Sequence, residues 1–182
     1  MAVNGTASGT NVEQYTGVSM GNYAKWQIAP TSHFTTGGLA NPSVMLKLES
    51  SFTGVWETRL KQSISSWHSA NAGVGITYTY ASSSHKIEVV NKPNVLWSGW
   101  CSQTLFLGNT TSSMISMNAA KTHTNNEWIG IISHEIGHLF SLKDDPTNDT
   151  FPNNSIMNYD CDLNSNYNPR ALDAYNVRFK YD

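Results

Sequence analysis

The stretch Asn125–Leu142, NNEWIGIISHEIGHLFSL, carries the most informative pattern of the chain. Aliphatic residues recur in it at helical spacing and predict a helix that packs one face into a core. The members of this face are Ile129, Ile132, Ile136 and Leu139. At the start of this helix, Thr124 and Glu127 have the spacing of a capping box, which predicts where the helix begins.

The opposite face of this predicted helix carries His134 and His138. Residues four apart lie one turn from each other on the same side of a helix, so both imidazoles can reach one metal ion. Glu135 lies beside them, where its carboxylate can take a proton from a water activated by the metal. A catalytic zinc normally has three protein ligands, and the next candidates along the chain are Asp144 and, as the alternative, Asp145.

A third stripe of the same helix holds only small residues beside the histidines: Gly130, Ser133, Gly137 and Ser141. Small side chains let a neighbouring segment approach the helix closely. We therefore expect another part of the chain to pack along this stripe, next to the metal centre.

The other patterns predict a single α+β domain. A helix is expected over 55–70, capped by Thr53 or Ser51, and a last helix over 169–179 with Asn168 as its cap. Strands are expected over 44–48, 76–80, 87–90, 104–107 and 114–117. Residues 1–42, rich in Gly, Ser, Thr and Asn, are expected to form an extension or edge segment, and 143–168 a long irregular segment of the kind that is usually functional.

Composition narrows the function class. Only 13% of residues are charged, whereas Ser, Thr and Asn make up 58 of the 182 residues, which favours an exported protein. The net charge of −2 argues against nucleic-acid binding, and no apolar run is long enough to cross a bilayer. Since Met1–Thr6 has neither a basic nor an apolar run, we expect a secreted form to have lost its export signal.

The motif spanning His134, Glu135, His138, Ser141 and Asp144 resembles the elongated zinc motif of the metzincins, HExxHxxGxxH. Downstream, Ser155-Ile156-Met157-Asn158-Tyr159 resembles their Met-turn. Asp144 stands at the third ligand position, as in snapalysin-type members, and Ser141 replaces the usual glycine. Gly99-Trp100 and Met114–Asn118 are similar to matrixin stretches that precede the zinc helix.

This resemblance implies a mixed twisted sheet with two long helices above a cleft. It also implies an upper subdomain over 43–142 and a small irregular lower subdomain over 143–182 that ends in a helix. It implies one Zn²⁺ held by His134, His138 and Asp144, with Glu135 as the general base. Tyr159 resembles the astacin and serralysin tyrosine that binds zinc or hydrogen-bonds the tetrahedral intermediate.

The function expected from these observations is that of a secreted zinc endopeptidase, acting as a monomer on a protein or peptide bound as an extended strand along Gly99–Leu107. The alternative is a catalytically inactive metzincin fold that serves as a binding or adhesion module, against which the intact Glu135 argues. Two further expectations concern the surroundings of the site. A disulfide between Cys101 and Cys161 is expected if the protein is secreted. The alternating side chains of Asp160, Asp162, Asn164 and Asn166 offer oxygen ligands for a Ca²⁺ ion.

Overall fold

The computed structural model describes residues 38–144 and 154–181. Within these ranges the chain forms five strands and three helices in a mixed α/β arrangement. In chain order they are β1 (Ser43–Leu48), α1 (Val55–Ser69), β2 (Gly75–Thr79), β3 (His85–Val90), β4 (Gly99–Phe106), β5 (Asn109–Asn118), α2 (Asn125–Leu139) and α3 (Ala171–Tyr181). The predicted extension 1–42 lies almost entirely outside the described residues.

The five strands form one mixed sheet in the order β2-β1-β3-β5-β4. β2, β1, β3 and β5 run parallel to one another, whereas β4 runs antiparallel to β5. The parallel pair β1 and β2 is joined through α1, as parallel strands require a crossover. β4 therefore lies at one edge of the sheet, and among the described residues no strand pairs with its outer side.

The core lies between the sheet and the pair α1 and α2. Leu46, Ile87 and Ile115 of the strands are fully buried, as are Leu60 of α1 and Ile136 of α2. The two helices are also tied by hydrogen bonds to main-chain carbonyls of α2. Ser63 Oγ donates to Ile129 O at 2.9 Å and Trp67 Nε1 donates to Ser133 O at 3.1 Å. The predicted apolar face of α2 is confirmed, since all four of its residues are buried.

Strands β4 and β5 are longer than the sequence predicted. They form a hairpin whose two-residue turn, Leu107 and Gly108, has positive φ at both positions, 49° and 82°. Such a turn matches the twist of a two-stranded ribbon. The prediction missed the early parts of both strands because they are rich in Ser, Thr and Gln and lack the alternation of apolar and polar residues that marks a half-buried strand.

The ends of all three helices differ from the predictions. α1 has Gly54 as its N-cap without a side-chain hydrogen bond, so the predicted caps Thr53 and Ser51 are wrong. Ser51 Oγ instead accepts from Val89 N at 3.0 Å and ties the loop to β3. α2 ends at Leu139 rather than at 142. α3 begins at Ala171 rather than at 169, because the Asn168 side chain accepts from Ser66 Oγ at 2.7 Å instead of capping the helix.

The capping box of α2 is confirmed. Thr124 Oγ1 accepts from Glu127 N at 3.2 Å, and the Glu127 carboxylate accepts from Thr124 N at 2.6 Å. Thr124 Oγ1 also donates to Asn164 Oδ1 at 3.0 Å, which links the start of this helix to the C-terminal segment. One side chain therefore fixes both the beginning of α2 and a contact across the fold.

We expect Thr124→Ala to lower the free energy of unfolding by about 1 kcal/mol, because the substitution removes the helix cap. Urea unfolding of the purified chain measures this loss. Thr122→Ala is the matched control, since Thr122 is an exposed residue just ahead of the helix. Equal effects of the two substitutions would contradict the assigned role of the cap.

Candidate metal centre

Three predicted ligands meet at one point. One ligand atom each from His134, His138 and Asp144 lies within 4.8 Å of the other two. The Nε2 atoms of His134 and His138 lie 3.0 and 3.4 Å from the same carboxylate oxygen, Asp144 Oδ1. Among residues 38–144 and 154–181 this is the only group of three or more His, Cys, Asp or Glu side chains that is compact enough to hold a metal ion.

Main-chain carbonyls orient both imidazoles. His134 Nδ1 lies 2.9 Å from Ile156 O, and His138 Nδ1 lies 2.9 Å from Leu142 O. A carbonyl oxygen can only accept a hydrogen bond, so each Nδ1 carries the proton and donates it. Each Nε2 then faces Asp144, where it can donate a hydrogen bond when protonated and bind a metal ion when deprotonated. Hydrogen bonds of this kind fix the tautomer and the orientation of metal-binding histidines.

The turn after α2 brings Asp144 back to the histidines. Leu142 N donates to Gly137 O at 3.1 Å and Ser141 N donates to His138 O at 3.0 Å, which is the hydrogen-bond pattern of a Schellman motif. The motif needs a left-handed residue, and Ser141 takes this conformation with φ 67°. The serine therefore makes the turn that glycine usually makes, at a cost of about 1 kcal/mol in backbone strain.

Electrostatics within the cluster favour an ionised Asp144. Burial alone would raise the pKa of this carboxyl, but hydrogen bonds from His134, His138 and Tyr159 outweigh burial and hold its pKa well below the usual range. Burial lowers the pKa of His134, because burial disfavours the charged imidazolium. The hydrogen bond with Asp144 and the charge of Glu135 outweigh burial, so the pKa of His134 is raised overall. Two imidazole nitrogens and one carboxylate oxygen are a donor set that suits Zn²⁺.

Glu135 is buried behind the histidines, with 6% of its surface exposed. Its carboxylate accepts a hydrogen bond from the main-chain N–H of Cys101 on β4, and burial raises its pKa. A Cβ added at Gly99 would lie 2.5 Å from Glu135 Oε1 and 2.7 Å from Ile131 Cγ2. Only glycine therefore lets the edge strand pass this close to the carboxylate without displacing a neighbour.

The predicted Met-turn lies under the small-residue stripe of α2. A Cβ added at Gly137 would lie 2.5 Å from Met157 Sδ, and one at Gly130 would lie 3.0 Å from Leu163. Met157 is 2% exposed, directly beneath the helix turn that carries the histidines. The expected close packing along the stripe is thus confirmed.

Tyr159 lies at the open side of the cluster. Its ring stacks on His134 at a centroid distance of 6.5 Å, and its hydroxyl forms a hydrogen bond with Asp144. Burial and the neighbouring Asp144 raise the pKa of Tyr159 to about 12, so the hydroxyl stays protonated at neutral pH. The ring is 63% exposed, so this hydroxyl lies where a bound molecule can reach it.

Three further predictions from the sequence have other outcomes. The expected disulfide is absent: Cys101 and Cys161 are free thiols. Cys101 lies on β4 at the wall of the cleft, whereas Cys161 is buried with its Sγ 3.7 Å from Asn166 O. Asp145, the alternative ligand, lies outside the described residues. In the segment considered for calcium, Asp162 Oδ1 accepts from Asn164 N at 3.1 Å in a local turn, and calcium binding stays a prediction.

Asp173 of α3 is a supporting residue that the sequence did not reveal. It is 1% exposed and accepts three hydrogen bonds: from Ser155 Oγ at 2.5 Å, Ile156 N at 3.0 Å and Arg170 N at 2.7 Å. Its carboxylate thus ties the start of α3 to the segment whose carbonyl, Ile156 O, orients His134. No local pattern marks this link, because Ser155 and Ile156 lie 18 and 17 residues away from Asp173.

A cleft runs between β4 and the metal centre. Its volume is about 470 Å³. The lining residues are Trp97, Gly99, Trp100, Cys101, Gln103, Leu105, His134, Glu135, His138, Asp144 and Tyr159. Gln103 Nε2 donates to His138 O at 2.7 Å, so the edge strand is fastened directly to the turn that carries the second histidine. The cleft therefore brings a strand edge that has no partner among the described residues alongside a cluster able to hold a metal ion and a buried carboxylate.

We expect Asp173→Ala to lower the free energy of unfolding by about 2–4 kcal/mol, because it leaves buried donors without an acceptor. It should also weaken zinc binding by roughly 10–100-fold through the loss of His134 orientation. Urea unfolding and competition with a chromophoric chelator measure the two effects. Asp160→Ala, at an exposed aspartate, is the control. Unchanged zinc affinity in Asp173→Ala would argue against the positioning role.

Comparison with known proteins adds little to this geometry. No family model matches the sequence, and no curated protein matches it. One solved structure that it resembles is high choriolytic enzyme 1, a hatching enzyme zinc-protease from Oryzias latipes (medaka fish). The two chains are 14% identical, the match covers 83% of this chain and 95% of that one, and the TM-score is 0.43.

Proposed function

We propose that this chain is a zinc-dependent endopeptidase with a metzincin-like fold. The observation that carries the proposal is the convergence of His134, His138 and Asp144 next to the buried Glu135, in a cleft bordered by an unpaired strand edge. Each component alone has ordinary structural explanations. Together they supply a metal ligand set, a proton acceptor and a surface on which a peptide can lie.

His134, His138 and Asp144 would hold the zinc ion. When bound, zinc polarises a water molecule and lowers its pKa towards neutrality. The carbonyl partners of both Nδ1 atoms keep the imidazoles in the ligating tautomer. Met157 packs beneath the turn of α2 that carries the two histidines.

Glu135 would act as the general base and then as the general acid. It takes a proton from the attacking water as the new bond forms between the water oxygen and the carbonyl carbon of the peptide. It then delivers that proton to the amine nitrogen as the carbon–nitrogen bond breaks, which yields a carboxylic acid and an amine, and the acid then passes its proton to the amine. The raised pKa of this buried carboxyl suits both roles, because general acid–base catalysis is most effective when the pKa lies near the working pH.

Tyr159 would stabilise the charge that develops on the substrate oxygen. Its hydroxyl is protonated at neutral pH, lies beside Asp144 and is accessible from the cleft. A hydrogen bond that strengthens as the oxyanion forms lowers the barrier to attack. In this proposal the hydroxyl exchanges its bond with Asp144 for one with the substrate.

The substrate would be a peptide in extended conformation. The outer edge of β4 offers main-chain donors and acceptors to an added strand, and this edge borders the cleft beside Glu135. Secretion is a further part of the proposal and is supported by the low charged fraction, 13%, and by the abundance of Ser, Thr and Asn. Among the described residues no helix has the length and apolar character needed to cross a membrane.

We expect Glu135→Gln to retain one zinc ion per chain and to lose roughly 10²–10⁴-fold in kcat/KM on casein. The substitution keeps the shape of the side chain and removes its ability to accept a proton. Metal analysis and a casein digestion assay on the same preparation measure the two quantities. Glu57→Gln, on α1 and paired with Lys61, is the control.

Three outcomes of this experiment differ in meaning. Zinc retained with activity lost only in Glu135→Gln supports the proposal. Full activity in Glu135→Gln would remove Glu135 from the mechanism. Zinc binding without hydrolysis by the wild-type chain would contradict the enzyme and favour the inactive binding module.

A further inference from the structure

The β4 side of the cleft carries no ionisable acidic or basic side chain. The sequence contains no Asp, Glu, Lys, Arg or His between Lys92 and Lys121, a range that includes β4, β5 and the loop before them. Among the described residues that line the cleft, the acidic and basic groups are those of the metal centre. A charged substrate side chain placed along Trp100–Leu105 would lose water without gaining a charged partner on β4, which is costly.

Two tryptophans lie at the Glu135 end of this wall. Trp97 and Trp100 both line the cleft, on either side of Gly99, whose main chain contacts the Glu135 side chain. Their ring centroids are 6.4 Å apart and the rings are tilted by 35°. Trp100 remains 55% exposed, so a large apolar surface is open to solvent next to the candidate base.

Hydrogen bonds from Asn118 hold the main chain that carries Trp97. Asn118, which is fully buried, donates from Nδ2 to Trp97 O at 3.1 Å and to Lys92 O at 2.9 Å. Lys92 Nζ lies 5.6 Å from the centre of the Trp97 ring, in a cation–π arrangement. A surface that is held in place before binding loses little conformational entropy when a ligand covers it.

From the neutral wall and the aromatic pair we propose that Trp97 and Trp100 form a specificity subsite for an aromatic or large aliphatic side chain of the peptide substrate. The inference rests on the proposed function and names the substrate class: extended segments that place an apolar side chain on the Trp97–Trp100 pair and no charged side chain along β4. Aromatic contacts with a preformed ring pair favour such a side chain beyond the burial of its area.

The test uses the full chain loaded with zinc and a set of synthetic peptides of equal length. At each position flanking the cleaved bond, Phe, Leu, Ala, Asp and Lys are compared. We expect one position at which kcat/KM is on the order of tenfold higher with Phe or Leu than with Ala, and lower with Asp or Lys. Trp100→Ala should abolish that preference, whereas Trp100→Phe should retain it.

Tyr80→Ala is the matched control. Tyr80 is 65% exposed on the turn that follows β2, at the opposite edge of the sheet, and its hydroxyl is hydrogen-bonded to Glu57. This substitution removes an exposed aromatic ring and should leave the preference unchanged. An unaltered preference in Trp100→Ala, or a wild-type preference for Asp or Lys at every position, would overturn the inference.

A binding measurement separates this inference from the proposed function. Calorimetric titration of zinc-loaded Glu135→Gln with the Phe and Ala peptides requires no turnover. Roughly tenfold tighter binding of the Phe peptide, lost when Trp100→Ala is added, would uphold the subsite even if the wild-type chain hydrolyses nothing. Equal binding of the two peptides would reject the subsite even if the chain is an active peptidase.

Discussion

The C-terminal turn of α2 reverses the chain around His138, and the geometry of the metal centre depends on this reversal. In the Schellman pattern, Leu142 N and Ser141 N donate to carbonyls of the last helical turn, so that Leu142 O faces His138 Nδ1. Two residues later Asp144 arrives between the two imidazoles. The left-handed conformation of Ser141 is the one strained element of this turn, and hydrogen bonds on both sides hold it in place.

The second constraint is the close approach of three segments to α2. The edge strand passes at Gly99, the Met-turn passes beneath Gly137, and the C-terminal segment contacts Gly130. Because these positions lack bulky side chains, the helix is enclosed on several sides while its histidine face remains open to the cleft. Asp173 then joins the Met-turn to α3, so the orientation of His134 depends on a residue far from it in sequence.

Local features of the fold could be predicted from the sequence, and features that depend on tertiary partners could not. The capping box at Thr124, the buried face of α2 and the pairing of His134 with His138 follow from spacing within one helix. The caps of α1 and α3 were wrong because Ser51 and Asn168 bond to distant segments instead. The predicted disulfide between Cys101 and Cys161 is wrong, because pairing depends on the distance between the two cysteines in the folded chain, which no sequence pattern contains.

We propose that two imidazoles and one carboxylate hold a zinc ion that keeps a position for solvent. X-ray absorption spectroscopy of the zinc-loaded chain measures this coordination directly. We expect two imidazole nitrogens at about 2.0–2.1 Å and oxygen scatterers at about 2.0–2.2 Å, at least one of them exchangeable solvent. A sulfur scatterer at about 2.3 Å would place Cys101 or Cys161 on the metal and contradict the proposed site, as would a shell closed by four protein ligands.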